Sequence, residues 1–239
     1  MGRIPALRAG RRRPGRQLLY WPLAAPFLLT GLLVLLVLLL MAQVGSYTFY
    51  RLGIGPSAAL LILLASLLGS AVNLPVARLR NHVVQVHRTI SVFGVRYLVP
   101  MMTRRNTVIA VNVGGALVPV ALSAYLIAHD GIGWQALAAI TVVAIATHIV
   151  ARPVPGLGIA VPALLPGVFA ALTAIVIHPV AVAGLAYAAG TLGTLIGADL
   201  TNLGKVRRLG SPLVSIGGAG TFDGVFVAGI VAVLLASLA

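Results

Sequence analysis

Three acidic side chains, Asp130, Asp199 and Asp223, serve the whole 239-residue chain, which has no glutamate and no cysteine. Carboxylate chemistry therefore falls to these three, and thiolate nucleophiles, disulfides and cysteine-ligated metal centres are excluded. Two of the acids close glycine-rich stretches: Gly193-Thr194-Leu195-Ile196-Gly197-Ala198-Asp199 and Gly217-Gly218-Ala219-Gly220-Thr221-Phe222-Asp223. Two carboxyls that share a proton can activate a water for hydrolysis, and the same pair can bind a proton, a cation or a basic solute. Asp130, within His129-Asp130-Gly131-Ile132-Gly133, reads as a solvated acid in a glycine turn.

The elements that must position Asp199 and Asp223 are dictated by composition. Hydrophobic residues make up 60% of the chain and charged residues 8%, where a soluble domain carries roughly a quarter charged. With mean hydropathy at +1.07, the expected fold is an all-α polytopic membrane protein with about seven transmembrane helices. The apolar stretches fall at about 21–44, 56–76, 107–128, 134–151, 157–178, 180–202 and 222–238. The first is too long for the apolar core of a cleavable signal peptide and reads as a retained anchor. Residues 1–20 form a basic tail, and 21–239 a single transmembrane domain with a cytoplasmic loop at about 77–106.

Orientation comes from the cations. With the N-terminus in the cytoplasm, alternate loops collect every Lys and Arg on the inner side except Arg51, one of seventeen, as the positive-inside rule requires. The net charge of +14 is thus a topology signal and a contact with anionic head groups of the cell membrane, not the footprint of a nucleic-acid binder. Within the long loop, valine-rich runs on either side of Phe93-Gly94 predict a small cytoplasmic β-hairpin. Its His82 and His87 are five residues apart, on opposite faces of a strand, and read as solvated side chains rather than metal ligands.

Polar residues cluster by depth. Asn73 ends the second span, Asn112 lies early in the third, His148 ends the fourth, Asp199 and Asn202 end the sixth, and Asp223 opens the seventh. All lie in the cytoplasmic third, which predicts a polar cavity lined by Asn112, His148, Pro162, Asn202, Gly218, Gly220 and Thr221 around the two acids. Asn73 itself reads as a span end meeting head groups. Consecutive antiparallel helices pack about 8–10 Å apart, so Asp199 and Asp223 could face one another. No phosphate-cradling motif occurs, since Gly156-Leu157-Gly158 lacks a strand–loop–helix setting, and no cofactor is called for. A metal held by both acids and His148 is the weaker alternative, and no metal site is assigned. There is also an internal echo: Val111-Asn112-Val113-Gly114-Gly115-Ala116 against Val214-Ser215-Ile216-Gly217-Gly218-Ala219, each after an arginine pair.

The stretch from Ala186 to the C-terminus, with Gly190-Thr191-Leu192-Gly193-Thr194-Leu195-Ile196-Gly197-Ala198-Asp199 and Gly217-Gly218-Ala219-Gly220-Thr221-Phe222-Asp223-Gly224, resembles a bacterial and archaeal multi-pass family catalogued as a domain of unknown function, and the resemblance extends back to Val111-Asn112-Val113-Gly114-Gly115-Ala116 and the Phe93-Gly94 turn, over roughly the last two-thirds of the chain. The arrangement of the acids also resembles presenilin and signal-peptide-peptidase-type intramembrane aspartyl proteases, which place one aspartate on a span and the second in a glycine motif opening the next. That resemblance implies Asp199 and Asp223 as catalytic acids and a membrane peptide as substrate. The motif here is two residues longer, and Pro162-Ala163-Leu164 precedes both acids, where those proteases carry the tripeptide after them. The alternatives are a transporter or channel that uses the same acids for a proton, small cation or basic solute, and a non-catalytic membrane scaffold.

Overall fold

The computed structural model describes residues 24–80, 84–92, 95–103, 106–154, 158–162, 164–206, 213–218 and 224–239. Two compact units, 1–43 and 44–239, divide the chain. Helix α1 (Ala24–Arg51) is continuous across that boundary, and α2 (Pro56–Gly69) comes after it. Strands β1 (Asn73–Arg80), β2 (Val84–Val92), β3 (Val95–Thr103) and β4 (Asn106–Asn112) come next. A π-turn (Val113–Leu117) leads into α3 (Val118–His129), and α4 (Gly133–Val150) returns. Two short strands, β5 (Arg152–Val154) and β6 (Gly158–Ala160), precede α5 (Leu165–Ile177) and α6 (Val182–Thr194). Helix α6 runs on through a second π-turn (Leu195–Asp199) and a 3₁₀ turn (Leu200–Asn202) into α7 (Leu203–Val206). Strand β7 (Leu213–Ile216) and α8 (Gly224–Ala236) complete the described elements.

The chain is mostly helical, but it is not all-α. Among the described residues three small sheets occur: β1-β4-β7, β2-β3 and β5-β6. The expected hairpin is present as β2-β3, paired from Val84↔Thr103 to Val92↔Val95; Phe93-Gly94 and His82 lie outside the described residues. The third expected span divides. Its first residues, Thr107-Val108-Ile109-Ala110-Val111, belong to β4, which pairs antiparallel with β1 and parallel with β7. A central strand covered on both faces is a continuous β-branched apolar run, which hydropathy alone cannot tell from a membrane span. In the same way β1 begins four residues after α2 ends, and β6 takes the opening of the fifth expected span.

Among the described residues, α4 is the helix long and apolar enough to cross a membrane; Pro56–Gly69, Val113–His129, Leu165–Ile177 and Gly224–Ala236 are shorter apolar helices. The bundle they form is built on α6, which is buried from Gly184 to Thr191 and packs against α3, α4, α5 and α8. Its partners present mainly alanine to it: Ala136 and Ala139 from α4, Ala170 and Ala174 from α5, Ala228 and Ala232 from α8. Large apolar side chains face outward instead, including Leu61 and Leu68 on α2, Leu137 and Ile149 on α4, and Val176 on α5. Water-solvated proteins arrange these sizes the other way round, while helix contacts in lipid favour small residues.

Small residues are a geometric requirement here. A Cβ at Gly197 would overlap the backbone of Ala144, one at Gly193 would meet Val143 at 2.7 Å, and one at Gly190 would meet the Ala228 carbonyl at 2.9 Å. We therefore expect Gly197→Ala to force α4 away from α6 and cost about 1–3 kcal/mol, read as a lowered unfolding midpoint in detergent. Gly133→Ala, where a Cβ meets nothing, should leave the midpoint unchanged.

Candidate functional site

The β1-β4-β7 sheet gathers one end of the bundle. Strand β1 leaves α2, β4 enters the π-turn before α3, and β7 leads towards α8. Where these strands meet the helices, four polar side chains from four segments converge: Asn73, Asn112, Ser215 and Asp199.

Asn112 is the keystone of this end. It is the last residue of β4, opposite Asn73 across the ladder, and only 2% exposed. Its Nδ2 donates to the Ser70 carbonyl at 2.8 Å and to Asn73 Oδ1 at 3.2 Å. Its Oδ1 accepts from the Gly115 N–H at 2.7 Å, capping the π-turn in the way a short polar side chain caps a helix. Both amide hydrogens and the amide oxygen of this buried side chain are thereby partnered, as burial requires. The π-turn is pinned from the other side as well: the Ser66 hydroxyl donates to the Gly114 carbonyl at 2.7 Å, and Val113 N–H donates to the Val72 carbonyl at 3.0 Å. Only glycine fits at 114, since a Cβ there would fall on the Ser66 carbonyl oxygen.

Strand β7 adds the second half. Ser215 Oγ donates to Asn73 Oδ1 at 2.5 Å, so Asn73 Oδ1 accepts from side chains on both β4 and β7. Beyond Ile216 the chain turns at Gly217, whose φ of +69° is left-handed and favours glycine. A Cβ on Gly217 would also meet Ala116 at 2.6 Å. This turn aims the Gly217 N–H at Asp199 Oδ2, 2.8 Å away. Gly218 N–H donates to the Ser215 carbonyl at 3.2 Å, and its bare Cα lies against Asn112 and Ser215.

Asp199, half-buried, is the last residue of the second π-turn. A π-turn widens the helix by a residue and leaves carbonyls to be satisfied elsewhere. Two side chains just beyond it do this: Thr201 Oγ1 donates to the Gly197 carbonyl at 2.8 Å, and Asn202 Nδ2 donates to the Gly197 and Ala198 carbonyls at 3.1 and 2.9 Å. His148 joins from α4, its Nδ1 2.7 Å from Thr201 Oγ1. The same His148 Nδ1 lies 3.4 Å from Asn202 Nδ2. His148, Thr201 and Asn202 thus form a second polar group, joined to Asp199 through the 3₁₀ turn.

The anticipated cavity residues divide accordingly. Asn112, Gly218 and Asp199 are brought to one end of the sheet, and His148 and Asn202 to the neighbouring turn. Pro162 is exposed in the segment before α5, its carbonyl accepting from Leu165 N–H at 3.2 Å. Asp223, Gly220 and Thr221 lie outside the described residues, and with them the metal grouping of both acids and His148. Asp130 lies at the other end of the bundle, 2.9 Å from His129 Nδ1 beside the left-handed Gly131, as expected of a turn acid. Sequence reasoning misses Asn73 and Ser215. Asn73 reads there as a residue meeting head groups, and Ser215 is visible only through the internal echo, which aligns it with Asn112.

The family of proteins of unknown function DUF1614 matches residues 67–235. The chain belongs to the DUF1614 family. No curated protein and no solved structure matches it. The DUF1614 match spans the β1-β4-β7 sheet, both π-turns and nearly all of α8, so every residue of the site just described except Ser66 is within it.

The hydrogen bonds predict unequal costs. In this DUF1614 protein Asn112→Ala would leave the Ser70 carbonyl and Gly115 N–H without their side-chain partner in a buried place, costing about 1–3 kcal/mol. Ser215→Ala removes one donor from a half-buried position and should cost about 1 kcal/mol or less. Unfolding midpoints of the two variants, measured side by side in detergent, give the comparison.

Proposed function

We propose that this DUF1614 protein is a multi-pass membrane protein of the cell membrane, N-terminus inside, that hydrolyses a membrane peptide with Asp199 and Asp223 as its two catalytic carboxyls. The observation that carries the reading is the Asp199 contact to Gly217 N–H. It ties the first acid to the segment that holds the second, six residues on, so the two acids are within a leash of about 22 Å at full extension. The inside-out distribution of small and large apolar residues supports the lipid setting, and the one-sided distribution of Lys and Arg supports the orientation.

In the reaction one carboxyl is protonated and the other ionised. The ionised carboxylate takes a proton from water as the water oxygen bonds to the scissile carbonyl carbon. The protonated carboxyl gives its proton to the carbonyl oxygen, leaving a neutral gem-diol. Collapse returns a hydroxyl proton to a carboxylate, breaks the C–N bond and delivers the other carboxyl's proton to the leaving amine. Every proton is accounted for between the pair, which is why neither acid can act alone. An ionised carboxylate is the better acceptor for the Gly217 N–H, which assigns Asp199 the base in the first step.

A transporter reading has one observation of its own. The two echoing segments enter as adjacent parallel strands, β4 and β7, each with a Gly-Gly pair just beyond it, and irregular backbone of this kind holds ions in secondary transporters.

Asp199→Asn and Asp223→Asn should each abolish cleavage of a tagged membrane peptide in proteoliposomes, with unchanged expression and unfolding midpoint. Cleavage that survives in either variant removes the protease reading, and a cation-dependent flux lost in both would replace it with the transporter.

A further inference from the structure

Helix α6 carries a row of buried polar atoms that the hydrolytic reading does not use. Gly184, Tyr187, Thr191 and Thr194 follow one another at spacings of three and four residues, which puts them on one face of the helix. That face meets α3 and α8: Tyr187 packs with Leu122, Leu126 and Val233, and a Cβ on Gly229 of α8 would meet Thr191 Oγ1 at 2.5 Å and the Tyr187 ring at 2.9 Å. Tyr187, Thr191 and Thr194 are all buried, and none of their hydroxyls makes a hydrogen bond among the described residues. The Tyr187 hydroxyl has that of Thr191 beside it, one turn on, in a geometry that closes no hydrogen bond. A buried hydroxyl without a partner is unfavourable, and three along one helix face point to a ligand that partners them.

Each end of the row meets a carboxyl. At the start of α6 the Asp130 side chain lies over Gly184, where a Cβ would fall on Asp130 Oδ2, yet it stays 23% exposed beside His129. At the other end the π-turn decides the geometry. In a regular helix the residue five after Thr194 is turned to another side, whereas a turn with i→i+5 hydrogen bonds brings it back over Thr194. That residue is Asp199. Two of the three acids thus stand at opposite ends of one row of buried hydroxyls, roughly 22 Å apart along the helix axis at 1.5 Å per residue.

We infer that this face of α6 is a proton pathway through the bundle, exchanging protons with external water at Asp130 and with cytoplasmic water at Asp199. The inference rests on the membrane setting and orientation proposed above, and not on peptide hydrolysis. A hydroxyl oxygen accepts one proton while its own is donated onward, so no link in the row gains net charge. Neighbours one turn apart, about 5–6 Å, are joined by a water that has a hydroxyl on either side. The end carboxyls alone change charge: one takes up a proton from water on its side as the other gives one up. Relays of polar and titratable side chains serve pumps and transporters in this way. A metal cation would need several oxygen ligands, carboxylates or carbonyls among them, at each stop, and single hydroxyls among apolar side chains do not supply them.

The test is voltage-driven proton uptake by vesicles that hold the full-length chain, a pH-sensitive dye inside and a potassium diffusion potential, interior negative. Acidification should be several-fold faster than in protein-free vesicles, fall to the protein-free rate in Asp130→Asn and Asp199→Asn, and slow several-fold in Tyr187→Phe and Thr191→Val. The last two remove a hydroxyl and keep the shape. Neither hydroxyl has a hydrogen bond to lose, so both variants should keep the unfolding midpoint in detergent, which separates a broken relay from a broken fold. Thr173→Val, on α5, where the hydroxyl donates to the Phe169 carbonyl, should leave the rate unchanged. Uptake equal to that of protein-free vesicles, or uptake that Tyr187→Phe and Thr191→Val both leave untouched, overturns the pathway, while peptide cleavage in the same vesicles reports on hydrolysis separately. A chain that stays in the aqueous phase during reconstitution overturns the membrane setting and the pathway with it.

Discussion

Every buried backbone amide and carbonyl needs a partner, and in this protein strand β4 is where that requirement shapes everything around it. Its residues Thr107, Ile109 and Ala110 are buried, so β4 cannot turn to solvent for its hydrogen bonds. It takes β1 on one side and β7 on the other. Those two strands come from distant parts of the chain, one after α2 and the other before α8. The pairing therefore fixes which helix ends meet, and it carries Asn73, Asn112 and Ser215 into one hydrogen-bonded row with Gly217 just beyond.

Glycine sets how near the pieces can come. At Gly114 the π-turn backbone lies on that of α2, and at Gly217 the β7 turn lies on the backbone of the same π-turn. The approach at Gly197 does the equivalent between α4 and the end of α6. These are the places where the chain changes from one regular geometry to another, and both π-turns stand there. A π-turn re-aims the residues after it without breaking the helix. In the second one the re-aimed residue is Asp199, presented to a backbone N–H rather than left on the regular helical face.

Much of this is legible from the amino-acid sequence, though unevenly. The apolar stretches, the hairpin around Phe93-Gly94, the family likeness over the later part of the chain and the turn role of Asp130 are all readable from composition, alternation and glycine placement. The β4 strand is not, because an apolar β-branched run has the same hydropathy whether a sheet or a bilayer covers it. The polar row is half legible for the same reason. Asn112 stands out as an amide in an apolar stretch, but Asn73 looks like an ordinary span end and Ser215 like an ordinary loop serine. Their importance comes from the pairing of β1, β4 and β7, which joins residues far apart in the chain. The echo between Val111–Ala116 and Val214–Ala219 is the available signal, since its strands do lie side by side. The observed register sets Val111 opposite Ile216, two residues away from the alignment of the echo, so likeness in sequence indicates adjacency but not pairing.

The scarcity of acid takes on a physical meaning in this setting. A carboxylate in an apolar bundle is unfavourable unless something stabilises its charge, and at Asp199 part of that stabilisation comes from a backbone N–H held in place by a left-handed glycine. An amide differs from a lysine or arginine partner in two ways. It is neutral, so the contact is a hydrogen bond rather than an ion pair, and a protonated carboxyl keeps an oxygen that can still accept it. It also belongs to the backbone, so its direction is set by the Gly217 turn and, through that turn, by the register of β7 on β4. The donor that Asp199 accepts from is therefore placed by the pairing of β7 with β4. Both the hydrolytic and the transport readings need a carboxyl held in a fixed place. The internal sheet thus has a second consequence beyond satisfying its own hydrogen bonds: it holds the turn that holds the acid.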